Sequence, residues 1–322
     1  MTARADAAAD MTARLMARYA IVVVLVLVYC VAVLVSDAFL QPTYLGNVLR
    51  QVAPVGIAAV GVTFVMILGG VDLSVGAVIS LTAVLCAVQM NGDAANIPLA
   101  VAVACAAGLA IGTFNGVVVA FTRVSPFILT LGTGMAVLGL TQMYSGGTAR
   151  GIVAPGFREV FNHRLGGTLP VLALAFLGLA IVGLAVQHFT VFGRRLYLIG
   201  SNRQAARLSG GPGAGVTVVA YALAGLSGAL AGIALLARSG VSSTLSGQGL
   251  EFQVLAAVVL GGTTFEGGRG GVAGTVAGVL VLVIAFNLVN ISGLPYHMQL
   301  TVMGAIIILA SAAYGLLDAR SA

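Results

Sequence analysis

Long apolar runs separated by short polar stretches make up nearly all of the chain. The runs lie at 19–35, 52–68, 74–88, 98–121, 127–144, 168–189, 214–237, 252–260, 272–289 and 298–317. Most approach the ~20 residues a helix needs to cross ~30 Å of hydrocarbon. The run at 252–260 is too short, so the pattern predicts a half-span or re-entrant helix there. Backbone that stops at membrane depth must be buried in protein or face water. The expected fold is an all-α polytopic membrane protein with about ten transmembrane segments, some re-entrant or broken. A tail at 1–18 precedes a single transmembrane domain at 19–317, and a short tail at 318–322 follows. The first run resembles a secretory leader, but it is long and Ser36-Asp37-Ala38 is a poor cleavage site, so a retained span is expected.

Two breaks repeat. Leu68-Gly69-Gly70 is followed five residues on by Gly76, and Leu260-Gly261-Gly262 by Gly268. Paired Gly-interrupted apolar segments in a membrane chain point to a substrate path. Asp72 lies inside the first break. An acid at the centre of a membrane helix costs roughly 2.5–3.5 kcal/mol on insertion scales. It either lines a polar path or, with Ser74, caps the helix that follows; the two roles are compatible. Asn115, Asn287 and Asn290 interrupt apolar helices, either to hydrogen-bond between helices or to meet a hydroxyl-rich solute. Gly108-Gly112-Gly116, Gly228-Gly232 and Gly270-Gly274-Gly278 are small-residue ladders suited to close helix contact.

Composition agrees with a membrane chain. Of 322 residues, 60% are hydrophobic and 7% charged, where a soluble domain carries about 25% charged. Mean hydropathy is +1.10. The net charge is +6 and every basic residue is Arg. This balance reads as a positive-inside membrane protein and not as a nucleic-acid binder. Let the N-terminus start inside and each of the ten segments reverse the side. Arg4, Arg14, Arg18, Arg123, Arg194, Arg195, Arg203, Arg207, Arg269 and Arg320 then fall inside, and Arg50, Arg150, Arg158, Arg164 and Arg238 outside. That bias puts both termini in the cytoplasm.

The most basic loop is 192–210. A short amphipathic helix with Ser201 as N-cap is expected in it. Its Arg residues suit anionic lipid headgroups, and its small and apolar residues suit docking to another protein. Without Lys the chain can hold no phosphate-binding loop of the G-x-x-x-x-G-K-[ST] type. Any ATPase that drives it is another chain. No catalytic constellation is expected and no metal site, since Cys30, Cys86 and Cys105 read as packing residues and the three His are scattered.

Three stretches carry a family resemblance: GGVDLSVG at 69–76, FGRRLYLIGSNRQAARLSG at 192–210, and LGGT at 260–263 with GGRG at 267–270. Together they resemble the permease subunits of ribose/galactose-type (simple sugar) ABC importers, over about residues 45–317. Ser201 stands where that family often has a second Gly. The resemblance implies a bacterial inner-membrane subunit without enzymatic activity or cofactor of its own. It pairs with a second permease subunit, identical or paralogous. An extracytoplasmic binding protein delivers a pentose, hexose or related solute, and a cytoplasmic ATPase with two nucleotide-binding domains in one polypeptide binds the ATP. By the same resemblance Arg194, Arg195, Gly200, Asn202, Arg203, Arg207 and Gly210 belong to the segment that couples to the ATPase. Gly69, Gly70, Asp72 and Ser74 help to shape the path. The residues alone leave two other readings open: an ion-coupled secondary transporter, for which a lone Asp72 is thin support, and a structural membrane subunit.

Overall fold

The computed structural model describes residues 21–208 and 213–291, together with Gly293, Met298, Thr301, Gly304, Ala305 and Ile308. Both terminal tails, the tenth run as a continuous segment, and Gly210 lie outside the described residues, as do the side chains of Arg203 and Arg207. The described chain is almost entirely helical: α1 (Ile21–Val35), α2 (Pro42–Ile67), α3 (Val75–Met90), α4 (Ile97–Phe121), α5 (Pro126–Ser145), α6 (Pro155–Asn162), α7 (Val171–Phe189), α8 (Val191–Ser201), α9 (Arg203–Leu208), α10 (Gly213–Ser239), α11 (Leu250–Leu260) and α12 (Val272–Ile291). Among the described residues six helices are long and apolar enough to cross a membrane: Pro42–Ile67, Ala94–Phe121, Pro126–Ser145, Val171–Phe189, Gly213–Ser239 and Val272–Ile291. Ile21–Val35, Val75–Met90 and Leu250–Leu260 are shorter apolar helices. The chain is an all-α polytopic membrane protein.

Helix α2 is the axis of the bundle. It is apolar on every side, and every residue from Val52 to Ile67 is buried, as expected of a helix with no face for solvent. It begins at Pro42, well ahead of the apolar run at 52, because the polar residues Asn47, Arg50 and Gln51 are helical too. Helices α7, α10, α11 and α12 pack around it, α3 packs on α10, α4 and α5, and α4, α5 and α7 also show apolar outer faces. The glycine ladders explain the closeness of this packing. Gly108 and Gly112 of α4 meet Gly225 of α10 backbone to backbone, Gly232 of α10 rests on Ile79 and Thr82 of α3, and Gly278 of α12 rests on Ala257 of α11. Small residues permit this approach where hydrophobic burial no longer distinguishes protein from lipid.

Two details of local structure escaped the sequence pattern. The loop at 145–167 folds into the short helix α6 and a two-residue hairpin, β1 (Arg164–Leu165) with β2 (Leu169–Pro170). In the basic loop, Ser201 is the last residue of α8, not an N-cap. Asn202 takes that role by accepting from the Ala205 N–H at 2.9 Å, so α9 starts one residue later than expected.

Candidate translocation path and coupling surface

The two breaks are the same device. Helix α2 ends with Gly69 in the left-handed region (φ 73°). The Gly69 N–H donates to Met66 O at 2.8 Å and the Gly70 N–H to Val65 O at 3.0 Å. Helix α11 ends with Gly262 left-handed (φ 88°). There the Gly262 N–H donates to Val259 O at 2.8 Å and the Thr263 N–H to Val258 O at 3.2 Å. Both are Schellman caps, which satisfy carbonyls that a helix end leaves bare. The left-handed residue is the first Gly of the first pair and the second Gly of the second. The sequence repeat is thus one residue out of register with the structural one.

Beyond Gly69 the chain runs non-helically to Ser74, clamped by three helices. Tyr221 Oη of α10 donates to Val71 O at 3.2 Å, and Thr130 Oγ1 of α5 accepts from the Leu73 N–H at 3.1 Å. A buried chain of side chains follows. Thr133 Oγ1 donates to Asn115 Oδ1 (2.8 Å), Asn115 Nδ2 to Ser74 Oγ (3.0 Å), and Ser74 Oγ to Asp72 Oδ1 (2.6 Å). Asp72 Oδ1 also accepts from the Ser74 N–H at 2.9 Å. Ser74 itself makes no side-chain capping bond at the start of α3; the cap is the Asp72 carboxylate. Asp72 is only 1% exposed and Asn115 0%. Burial of such groups is tolerable because they satisfy one another.

Asp72, Ser74 and Asn115 therefore come together beside Gly69 and Gly70. Asn287 and Asn290 do not join them. They line a polar cleft of about 480 Å³ with Tyr44, Asn47, Arg50 and Gln51, near the start of α2. The two groups are separated by the stretch of α2 from Gln51 to Gly69, about 27 Å at 1.5 Å per residue. Asn287 there accepts from Tyr44 Oη and exchanges hydrogen bonds with the Gln51 amide. Other loop groups gather at the same end: Arg50 donates to Asn162 Oδ1 (3.0 Å) and Arg164 to Asn47 Oδ1 (2.6 Å).

At the far end of α2 the two breaks touch. The Gly268 N–H donates to Ile67 O at 2.8 Å, and Gly69 lies against Glu266 and Gly267. Helix α8 is laid over this junction. Gly200 contacts Ile67 O and the Gly268 N–H so closely that no Cβ fits, and Ser201 packs on Gly268. A polar relay fastens the middle of α8: Gln187 Nε2 donates to Tyr197 Oη (2.7 Å), Tyr197 Oη to Gly270 O (2.7 Å), and the Val272 N–H to Gln187 Oε1 (2.8 Å). Burial pushes the Tyr197 phenol above its ordinary range, with the Gln187 bond pulling back, so it stays a neutral donor. Leu196 and Ile199 point into the bundle, while Arg194, Arg195, Leu198 and Asn202 are exposed. The outward face of α8 is thus basic with an apolar centre. Tyr197, Gln187, Thr130, Thr133 and Tyr221 were not singled out from sequence; the i, i+3 spacing of Thr130 and Thr133 was the one available signal.

An apolar bundle with two internal breaks, both joined to one basic surface helix, belongs to the class of multi-pass membrane transport proteins. The family profile described as branched-chain amino acid transport system / permease component matches residues 44–311, and the chain belongs to that family. It is 38% identical over 286 residues to the ribose import permease protein RbsC of Bacillus subtilis (strain 168), covering 88% of each chain. It is 37% identical over 304 residues to RbsC of Escherichia coli (strain K12), covering 92% of each. The galactose/methyl galactoside import permease protein MglC of E. coli (strain K12) is 33% identical over 319 residues, with 93% of this chain and 94% of that one covered. No solved structure matches the chain.

Proposed function

We propose that this chain is the membrane permease of an ATP-driven sugar importer of the bacterial inner membrane. The observation that carries this is the near full-length similarity to permeases named for ribose and galactose import. The solute is a pentose, a hexose or a close relative. ATP is hydrolysed on a separate cytoplasmic ATPase with two nucleotide-binding domains. An extracytoplasmic binding protein supplies the sugar, and a second permease subunit, identical or paralogous, completes the path. The chain crosses the membrane in about ten segments with both termini in the cytoplasm. Two groupings support that orientation. Arg50, Arg158, Arg164 and Arg238 gather at the starting end of α2, and α8 with its exposed Arg194 and Arg195 lies at the other.

In this reading the basic segment that contains Arg194, Arg195, Asn202, Arg203, Arg207 and Gly210 receives the ATPase. Gly200 holds that segment on both breaks, so a push on α8 reaches Ile67 and Gly268 directly. Gly69, Gly70, Asp72, Ser74 and Asn115 fix the shape of the path without meeting solvent. Asn287 and Asn290 border the outer cleft through which the sugar enters. Replacing Arg203 and Arg207 with Glu tests the coupling role. The expected result is loss of most binding-protein-stimulated ATP hydrolysis, with the permease still in the membrane at normal abundance. Unchanged stimulation contradicts the assignment.

A further inference from the structure

Asp72, Ser74 and Asn115 are buried and bonded to one another through Asp72 Oδ1, so a passing sugar finds its hydrogen-bond partners elsewhere. A cleft of about 140 Å³ opens beside them, between the start of α3, the middle of α5 and the non-helical approach to α11. Its polar lining is Ser80, Gln248 and Glu251, and Leu131 and Met135 of α5 form an apolar wall. The approach segment is built into the bundle. The Gly247 N–H donates to Ser80 Oγ at 2.9 Å, and Gly247 O and the Glu251 carboxylate lie over Gly76 with no room for a Cβ.

This packing sets the depth of Glu251. It stands beside Gly76, about 21 Å of helical rise from the end of α3 at Met90. It also lies about 14 Å from the end of α11 at Leu260, where the Gly-rich junction begins. Glu251 is therefore near mid-membrane. Its carboxylate accepts no hydrogen bond among the described residues, and Gln248 beside it is exposed. An unsatisfied carboxylate at that depth is costly against lipid and is found facing a water-filled cavity or a polar partner. That cost is avoided when the open side of this cleft faces the aqueous path.

We infer that Glu251 and Gln248 are the solute contacts inside the permease, which rests on the sugar-importer reading above and gives it a location. The carboxylate accepts from sugar hydroxyls, the amide donates and accepts, and Met135 and Leu131 pack on the C–H face of the ring. The cleft holds about five waters' share of liquid volume, enough for one edge of a monosaccharide and too little to enclose it. A contact that loose lets the solute pass.

The test uses the complete importer, with its ATPase and binding protein, in membrane vesicles. Cys30, Cys86 and Cys105 are replaced by Ala and Gln248→Cys is added. A charged, membrane-impermeant thiosulfonate should modify this cysteine, at least threefold more slowly when D-ribose or D-galactose is delivered by the binding protein. Separately, Glu251→Gln should lower uptake at least tenfold while stimulated ATP hydrolysis stays above half, and Glu251→Asp should recover part of the uptake. Modification by lipophilic maleimides alone, a rate indifferent to sugar, or normal uptake by Glu251→Gln would overturn the inference. If the wild-type complex imports no pentose or hexose but does import a solute of another class, the sugar reading fails, and the inference falls with it.

Discussion

Asp72 is the acid that the sequence makes conspicuous, and its burial and its bonds to Ser74 support the shaping role we propose for it. One carboxylate oxygen holds both the backbone N–H and the hydroxyl of Ser74, and Ser74 in turn holds Asn115. Asp72→Ala removes a cap worth about 1 kcal/mol and leaves buried donors unpaired at about 1–3 kcal/mol. The detergent-solubilised protein should therefore melt several degrees lower. Asp72→Asn keeps a carbonyl acceptor in place and should keep most of the transport activity; a folded but inactive Asn variant would return Asp72 to the path. The residues of this network were only partly legible. An Asp or Asn in an apolar run stands out because burying it unpaired is expensive. Thr130 and Thr133 do not stand out, since a lone hydroxyl can bond back to its own helix, as Thr130 also does to Pro126 O. That Ser74 meets Asn115 across 41 positions is a tertiary fact, which no local pattern records.

Among the elements, α8 is where the proposed solute path meets the proposed partner surface. Its register on the breaks depends on Gly200, and the neighbour that would collide with a Cβ is backbone, which cannot rotate away. Gly200→Ala should lift α8 from Ile67 and Gly268 and at least halve the ATP hydrolysis stimulated by loaded binding protein, with little change in membrane abundance. Full stimulation would show that α8 does not transmit through this contact. Gly76→Ala is a companion case at the other face of the break: it must displace both the Glu251 carboxylate and the Gly247 backbone, and should lower sugar uptake more than it lowers thermal stability. Helix positions were legible where hydropathy tracks depth. The run at 127–144 became α5 (Pro126–Ser145), and 252–260 became the short α11 (Leu250–Leu260). They were not legible at polar ends. Hydropathy reports lipid exposure rather than helix length, so the first turns of α2 were missed, as was α6, too short and polar to register. The basic loop was recognised as amphipathic, but Ser201 and Asn202 are both N-cap types, and sequence could not say which of the two adjacent residues breaks the helix.

For the whole molecule, the fold divides labour between two ends. The end at the start of α2 gathers the polar cleft of Asn287 and Asn290 with Arg50 and Gln51; the opposite end joins both breaks under α8. A chain without Lys has no phosphate-binding loop of the G-x-x-x-x-G-K-[ST] type. The central proposal is about company: this permease works with an ATPase that docks on α8. The most direct test is to purify the tagged protein from its native membrane in mild detergent and identify what comes with it. The account predicts an ATPase carrying two nucleotide-binding domains, released when Arg194 and Arg195 are both changed to Glu. Recovery of no ATPase, under conditions that keep a known ABC complex intact, would contradict it, and sugar uptake collapsed by an ionophore at constant ATP would then identify an ion-coupled transporter instead.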